Sequence, residues 1–162
     1  PWWEIHPNNW AAVCAGCMAD AAMYMIKEPR MLAPFIRRAC DAMAVYLDSF
    51  PEDGVCEEGV GYWGYGFSHF VVFADLLKKR TAGKIDLFQD ETVYRISRFP
   101  EQVALLDGGV VSFADGNMKA TFPLELLHRL KEAYPELPLP SPEFCEGEQD
   151  MRYFSPLLRH FA

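Results

Sequence analysis

The chain has 162 residues, the length of a single domain. Hydrophobic residues make up 51% and charged residues 23%, a balance typical of a globular protein and not of a disordered or fibrous one. The net charge of −8 argues against non-specific binding of nucleic acid, which needs a cationic surface. No uninterrupted apolar run approaches the roughly 18 residues of a membrane span.

The five cysteines are odd in number and scattered, which favours reduced thiols over a disulfide framework. This usage favours a cytoplasmic location. A periplasmic one stays open because the chain begins at Pro1 and a leader would precede it. Cys14 and Cys17 have the spacing of a redox motif but lie in a predicted helix. No second ligand pair suits zinc, so we expect neither a metal site nor a cofactor.

Two predicted helices open the chain, and the short break between them predicts an antiparallel hairpin. The first spans about 9–27, because apolar residues recur at three- and four-residue steps. Asn8 or Asn9 can cap its start, and Glu28-Pro29 ends it. The second spans about 31–49, with Pro34 tolerable only in its first turn.

The rest of the chain predicts further helices joined by turns. Five glycines between residues 51 and 66 indicate a loop, followed by a third helix over 67–80. The remaining predicted elements are a helix over 91–99, a short strand over 110–113, a helix over 123–134 and a last helix over 152–161. The fold class is therefore mainly α, as a single domain over residues 1–162.

Three stretches of the chain carry distinctive motifs, namely residues 8–16 (NNWAAVCAG), 58–66 (EGVGYWGYG) and 111–116 (VSFADG). Together they resemble the heparinase II/III-like family of polysaccharide lyases. The first is similar to that family's Asn-Asn-Trp-Asn-Ala-Val-Cys-x-Gly helix start, the second to its Glu-Gly-x-x-Tyr-Trp-x-Tyr-Gly loop, and the third to a phenylalanine and Gly-Asp stretch. The chain departs from the pattern at Ala11, where Asn is expected, and at Ala114, where Gly is expected.

The resemblance implies an (α/α) toroid of helical hairpins followed by a β-sandwich domain. This chain can supply two or three of about six hairpins, and no β-patterned run follows residue 123. We therefore expect part of an incomplete toroid, with the β-sandwich absent and the fragment alone inactive.

The resemblance also implies β-elimination on a uronate-containing polysaccharide or oligosaccharide. The C5 proton must leave and the O4 leaving group must be protonated, so the substrate carboxylate and the enolate-like charge must be stabilised. Asn amides do this without titrating, and a phenol or imidazole moves the protons. Asn8 and Asn9 match the carboxylate-binding stretch. Tyr62 matches the catalytic tyrosine, with Tyr65 as second choice.

Five further residues are predicted to contact the substrate, and each has a plainer alternative. These residues are His6, Trp10, Trp63, Tyr65 and His69. Trp10 and Trp63 can stack on pyranose rings or fill the core. His69 lies within an apolar helix, where a hydrogen-bonded wall histidine is the alternative. The alternative for Asn8 and Asn9 is a helix cap with no role in binding. The alternative for Tyr62 is a buried aromatic residue.

Two other classes of function stay open. One is a non-catalytic carbohydrate-binding or structural helical fragment. The other is a glycoside hydrolase on a related (α/α) barrel, with Glu57 or Glu58 as the acid. In the leading hypothesis the partner is an acidic polysaccharide or oligosaccharide, with no nucleic acid and no membrane span. The oligomeric state is undetermined.

Overall fold

The computed structural model describes residues 1–105 and 109–140, and this part of the chain is mainly α-helical, as predicted. Helical 3-10 turns cover Trp2–Glu4 and Leu87–Gln89. Within the described residues there is no strand, only one antiparallel bridge between Ala104 and Val110. The helices are α1 (Asn9–Met25), α2 (Pro29–Leu47), α3 (Val60–Arg80), α4 (Glu91–Ser97), α5 (Phe99–Val103) and α6 (Leu124–Ala133).

The predicted hairpin of α1 and α2 is confirmed, with small shifts at its ends. Asn8 caps α1 by accepting a hydrogen bond from the backbone N–H of Trp10 at 2.9 Å. Helix α2 begins at Pro29, two residues before its predicted start, because Glu28 caps it and proline suits a first helical position. Pro34 therefore lies in the second turn, where the helix tolerates it.

Helices α1 and α3 lie side by side and run in the same direction. Asn9 packs against Gly66 near their starts, and Arg80 donates to the backbone oxygen of Lys27 near their ends. Helix α2 packs against α1, and it meets α3 where the rings of Tyr46 and Phe70 lie with centroids 6.5 Å apart. Two parallel helices thus present their N-terminal ends together.

The core is centred on Trp63, which is completely buried. Its indole N–H donates to the backbone oxygen of Ile96 at 3.0 Å. Three phenylalanine rings surround it with centroids within 5.9 Å, namely Phe67, Phe99 and Phe122. Burying each such ring stabilises the fold by about 1.5–3 kcal/mol, so this cluster joins α3 firmly to the later helices.

Helix α3 corrects the predicted loop over residues 51–66. It begins at Val60, seven residues before the predicted start, and includes three of the five glycines. Gly59 precedes it with a φ of 98°, which is a true turn position. Inside the helix, by contrast, Gly64 packs against Pro123 and Gly66 against Asn9. These glycines permit close packing and do not break the helix.

Three later predictions also need correction or lie outside the described residues. The predicted helix over 91–99 ends at Ser97, and α5 follows because Pro100 suits the start of a new helix. The predicted strand over 110–113 is wrong, since only Val110 forms a bridge. Helix α6 is confirmed, although Pro123 precedes it as its cap. The predicted helix over 152–161 lies outside the described residues.

None of the described helices combines the length and the apolar character that crossing a membrane would require.

Candidate functional site

The three motif segments meet at the N-terminal ends of α1 and α3. The side-chain amide nitrogen of Asn9 donates to a carboxylate oxygen of Glu58 at 2.7 Å, which joins the first segment to the second. Gly59 packs against the backbone of Gly116 and Phe113, which joins the second segment to the third. Residues about 50 positions apart in the chain are therefore brought together. The aligned helix dipoles make this end of the pair favourable for an anion.

The conformation at Ala114 matches the glycine that the resemblance leads us to expect there. Its φ is 48°, in the left-handed region that favours glycine. Ala11, the other departure, is fully buried.

Asn8 and Asn9 have different roles in the structure. Asn8 caps the helix, which is the plainer of its two predicted roles. Asn9 is buried, with 8% of its surface exposed, and its amide is bonded to Glu58. An amide nitrogen carries two hydrogens, and Glu58 accepts one of them. Asn9 is therefore the better placed of the two to offer a donor at this site.

Tyr62, Tyr65 and His69 lie along one side of α3, because they are three and four residues apart. Tyr62 is in the first turn and is 39% exposed. The rings of Tyr65 and His69 meet edge to face with centroids 5.6 Å apart. This side of α3 thus presents two phenols and an imidazole, the proton-carrying groups that the predicted chemistry uses.

His69 is held in a defined tautomer. Its Nδ1 lies 2.9 Å from the backbone oxygen of Tyr65. A carbonyl oxygen only accepts, so Nδ1 carries the proton and Nε2 is the unprotonated acceptor in the neutral ring. Burial lowers the pKa of His69, which keeps the ring neutral at pH 7.

The tryptophans divide between surface and core. Trp63 is wholly buried, so its predicted sugar contact is wrong: the helix turns its indole inward to the phenylalanine cluster. Trp10 is 52% exposed and lies beside Trp2, with ring centroids 6.3 Å apart. His6 is exposed, and the centroid of its ring lies 6.1 Å from that of Trp2. Trp2 is a surface aromatic that the motif comparison passes over.

Two shielded polar groups were missed by sequence reasoning. Asp20 on α1 has a side-chain oxygen, Oδ1, that is shielded from solvent and has no hydrogen-bond partner among the described residues. Burial raises the pKa of Asp20 to about 7. The hydroxyl of Tyr46 on α2 is likewise buried without a partner. The available signal for Asp20 was a lone carboxylate within an alanine-rich helix.

The remaining candidates are the glutamates and cysteines that the sequence analysis singled out. Glu57 and Glu58 are exposed, and Glu58 is bonded to Asn9. Burial raises the pKa of both Cys14 and Cys17, which keeps these thiols protonated and poorly nucleophilic. Across residues 1–105 and 109–140, no three His, Cys, Asp or Glu side chains are grouped so as to hold a metal ion.

Comparison of the chain with models of known protein families and with curated protein sequences finds no match.

Proposed function

We propose that this chain contributes the carboxylate-binding part of a polysaccharide lyase that resembles the heparinase II/III-like family. The observation that carries the proposal is the meeting of the three motif segments, through the Asn9–Glu58 bond and the Gly59–Gly116 contact. A shared site explains why motifs so far apart in the chain would accompany one another.

The arrangement of the first three helices supports a toroid. Helices α1 and α3 are parallel neighbours, and α2 packs on α1 as the return helix. Successive hairpins of an (α/α) toroid repeat this arrangement. The left-handed backbone at Ala114, where the family pattern has glycine, supports the same proposal.

In the proposed reaction, Asn9 donates a hydrogen bond to the uronate carboxylate and so stabilises the enolate-like charge that develops when C5 loses its proton. The electron pair of the C5–H bond forms the C4–C5 double bond, and the bond from C4 to O4 breaks. Tyr62 accepts the proton that leaves C5 and returns it to the departing O4, so that no net proton is gained or lost. Trp10 and His6 contact the neighbouring sugar, and Tyr65 and His69 line the same side of α3.

The proposal is tested by the ultraviolet absorbance of the unsaturated uronate that elimination produces. The protein in its full natural length is mixed with a panel of uronate polymers, and the initial rate is measured. Tyr62→Phe is expected to lower the rate by about 10²–10⁴-fold. Tyr94→Phe, which removes a phenol from α4, is the matched control and is expected to leave the rate unchanged.

Other outcomes would favour the competing functions. Absence of new absorbance with every uronate polymer contradicts lyase activity. Cleavage that yields only saturated reducing ends indicates a hydrolase, with Glu58 as the first candidate acid. Binding without any product, which persists in Tyr62→Phe, indicates a carbohydrate-binding fragment.

A further inference from the structure

The hydroxyl of Tyr46 is an unexplained polar group in the core. Tyr46 lies on α2 and is 1% exposed, and its hydroxyl has no hydrogen-bond partner among the described residues. A buried hydroxyl without a partner destabilises a fold, whereas phenylalanine would fill the same space without that loss. The ring is held between Phe50 and Phe70, with centroids at 5.2 and 6.5 Å. Packing therefore accounts for the ring and not for the hydroxyl.

The hydroxyl and the amide of Asn9 both border the space beside Gly66. A Cβ built on Gly66 would lie 2.0 Å from Oδ1 of Asn9 and 2.8 Å from the hydroxyl oxygen of Tyr46. The absence of a side chain at Gly66 thus leaves one small space that both groups line. Glu58 accepts from the other end of the same amide at 2.7 Å.

We propose that Tyr46 is a positioning residue for Asn9, and that its hydroxyl donates to Oδ1 of Asn9 when the amide nitrogen turns from Glu58 to an anionic ligand. This inference rests on the proposed function, because the ligand it assumes is the carboxylate of a uronate. Glu58 holds the amide while the site is empty, and Tyr46 holds it when the site is filled.

The hydrogen-bond chain explains why such a donor would strengthen binding. A hydrogen bond accepted at the carbonyl end of an amide polarises it, which makes its N–H a stronger donor. The effect is largest in a buried site, where water does not compete. Burial and the neighbouring charges of Cys56 and Glu58 raise the pKa of Tyr46 well above its ordinary value, so the phenol keeps the proton that it must donate.

The test compares two conservative variants by stability and by affinity. Calorimetric titration with an unsulfated uronate trisaccharide measures affinity, and urea unfolding measures stability. Tyr46→Phe is expected to unfold at the same or higher urea concentration while its affinity falls about three- to tenfold. Tyr134→Phe is the matched control, because its buried hydroxyl donates to the backbone oxygen of Phe88 at 2.7 Å. That variant is expected to lose stability and keep its affinity.

The outcomes separate this inference from the proposed function. Unchanged affinity in Tyr46→Phe, or a loss of affinity that only follows a loss of stability, overturns the positioning role. If the wild-type protein binds no uronate, the proposed function fails, and a ligand-free measurement decides the inference. The Glu58→Ala variant releases the Asn9 amide from its carboxylate partner. The side-chain amide resonances of Asn9 are then compared between Glu58→Ala and the double variant that also carries Tyr46→Phe. A shift between the two proteins is expected, and no shift would overturn the inference.

Discussion

Among single residues, Asp20 is the most unusual, because Oδ1 of its half-buried carboxyl group is shielded from solvent and has no hydrogen-bond partner in the described part of the chain. Burial disfavours the charged form and raises the pKa from its ordinary value of 3.8 to about 7. Between these two pH values the folded protein binds a proton that the unfolded chain releases. The free energy of unfolding therefore falls as the pH rises from about 4 to above 7.

We predict that Asp20→Asn stabilises the protein at pH 8 and not at pH 4. The amide removes a charge that is costly only where the wild-type carboxyl is ionised, so the gain at pH 8 is on the order of a few kcal/mol. Urea unfolding at both pH values measures it. The control is Asp41→Asn, which changes an exposed carboxylate on α2. Equal effects of Asp20→Asn at the two pH values would contradict a buried, proton-binding carboxyl group.

Gly66 gives a second prediction at this scale. Gly66→Ala places a Cβ within 2.0 Å of Oδ1 of Asn9, so the free energy of unfolding is expected to fall by about 1–3 kcal/mol. Gly61→Ala, in the first turn of the same helix, meets nothing within 4 Å and is expected to raise it by up to about 1 kcal/mol. Chemical denaturation compares them, and effects of the same sign would contradict the close packing of α1 and α3.

At the scale of elements, α3 is the helix that joins the α1–α2 hairpin to the later helices. Besides packing on α1, it is bridged to α6 by Asp75, which accepts from Arg129 at 2.7 Å and from Lys79 at 2.9 Å. Arg129 and Asp75 are mostly shielded from solvent, whereas Lys79 is exposed. The two ion pairs of one carboxylate thus differ in environment.

We predict that this difference decides their contributions to stability. Arg129→Ala is expected to lower the free energy of unfolding by about 1–3 kcal/mol, because it leaves a shielded charge with a weaker partner. Lys79→Ala is expected to change it by about 0.2–1 kcal/mol. Both are measured by urea unfolding at the same ionic strength. A larger loss of unfolding free energy in Lys79→Ala than in Arg129→Ala would contradict a stabilising role for the Asp75–Arg129 ion pair.

The same helix shows how far the elements could be predicted from the sequence. The spacing of apolar residues was sufficient for α1, α2 and α6, whose predicted bounds lie within two residues of the observed ones. It failed at the start of α3, because Gly64 and Gly66 appear to break a helix when only local propensity is considered. Their contacts with Pro123 and Asn9 are tertiary, and no local pattern contains them.

For the candidate site too, the sequence predicts what local motifs contain and misses what depends on tertiary packing. The motifs lead us to expect a common site for residues 8–16 and 58–66, and the Asn9–Glu58 bond places these two segments in contact. The exposure of each aromatic residue was not predictable, because Trp63 and Tyr62 are adjacent in sequence and face opposite environments. Asp20 and Tyr46 lie outside every motif, and only their burial distinguishes them.

At the scale of the whole molecule, the net charge of −8 opposes an anionic ligand. The donors proposed for the ligand carboxylate are neutral amides, so they lose little when salt screens charges. Repulsion from the rest of the molecule is long-ranged and is screened, since the Debye length falls from about 30 Å at 0.01 M to about 8 Å at 0.15 M. Salt therefore acts on the repulsion more than on the binding contacts.

We predict that affinity for a uronate trisaccharide rises severalfold between those two salt concentrations. Calorimetric titration measures it, with a neutral trisaccharide of similar size as the control ligand, for which no change is expected. A steep fall of uronate affinity with salt would instead indicate a cationic site, and would contradict recognition by amide groups.

The central claim is that the site at the joined ends of α1 and α3 serves an elimination reaction. The most direct measurement is mass spectrometry of the products formed from a uronate oligosaccharide by the protein in its full natural length. Elimination predicts two products whose masses sum to that of the substrate, one of them an unsaturated uronate. Products whose masses sum to that of the substrate plus one water would contradict the claim and identify hydrolysis.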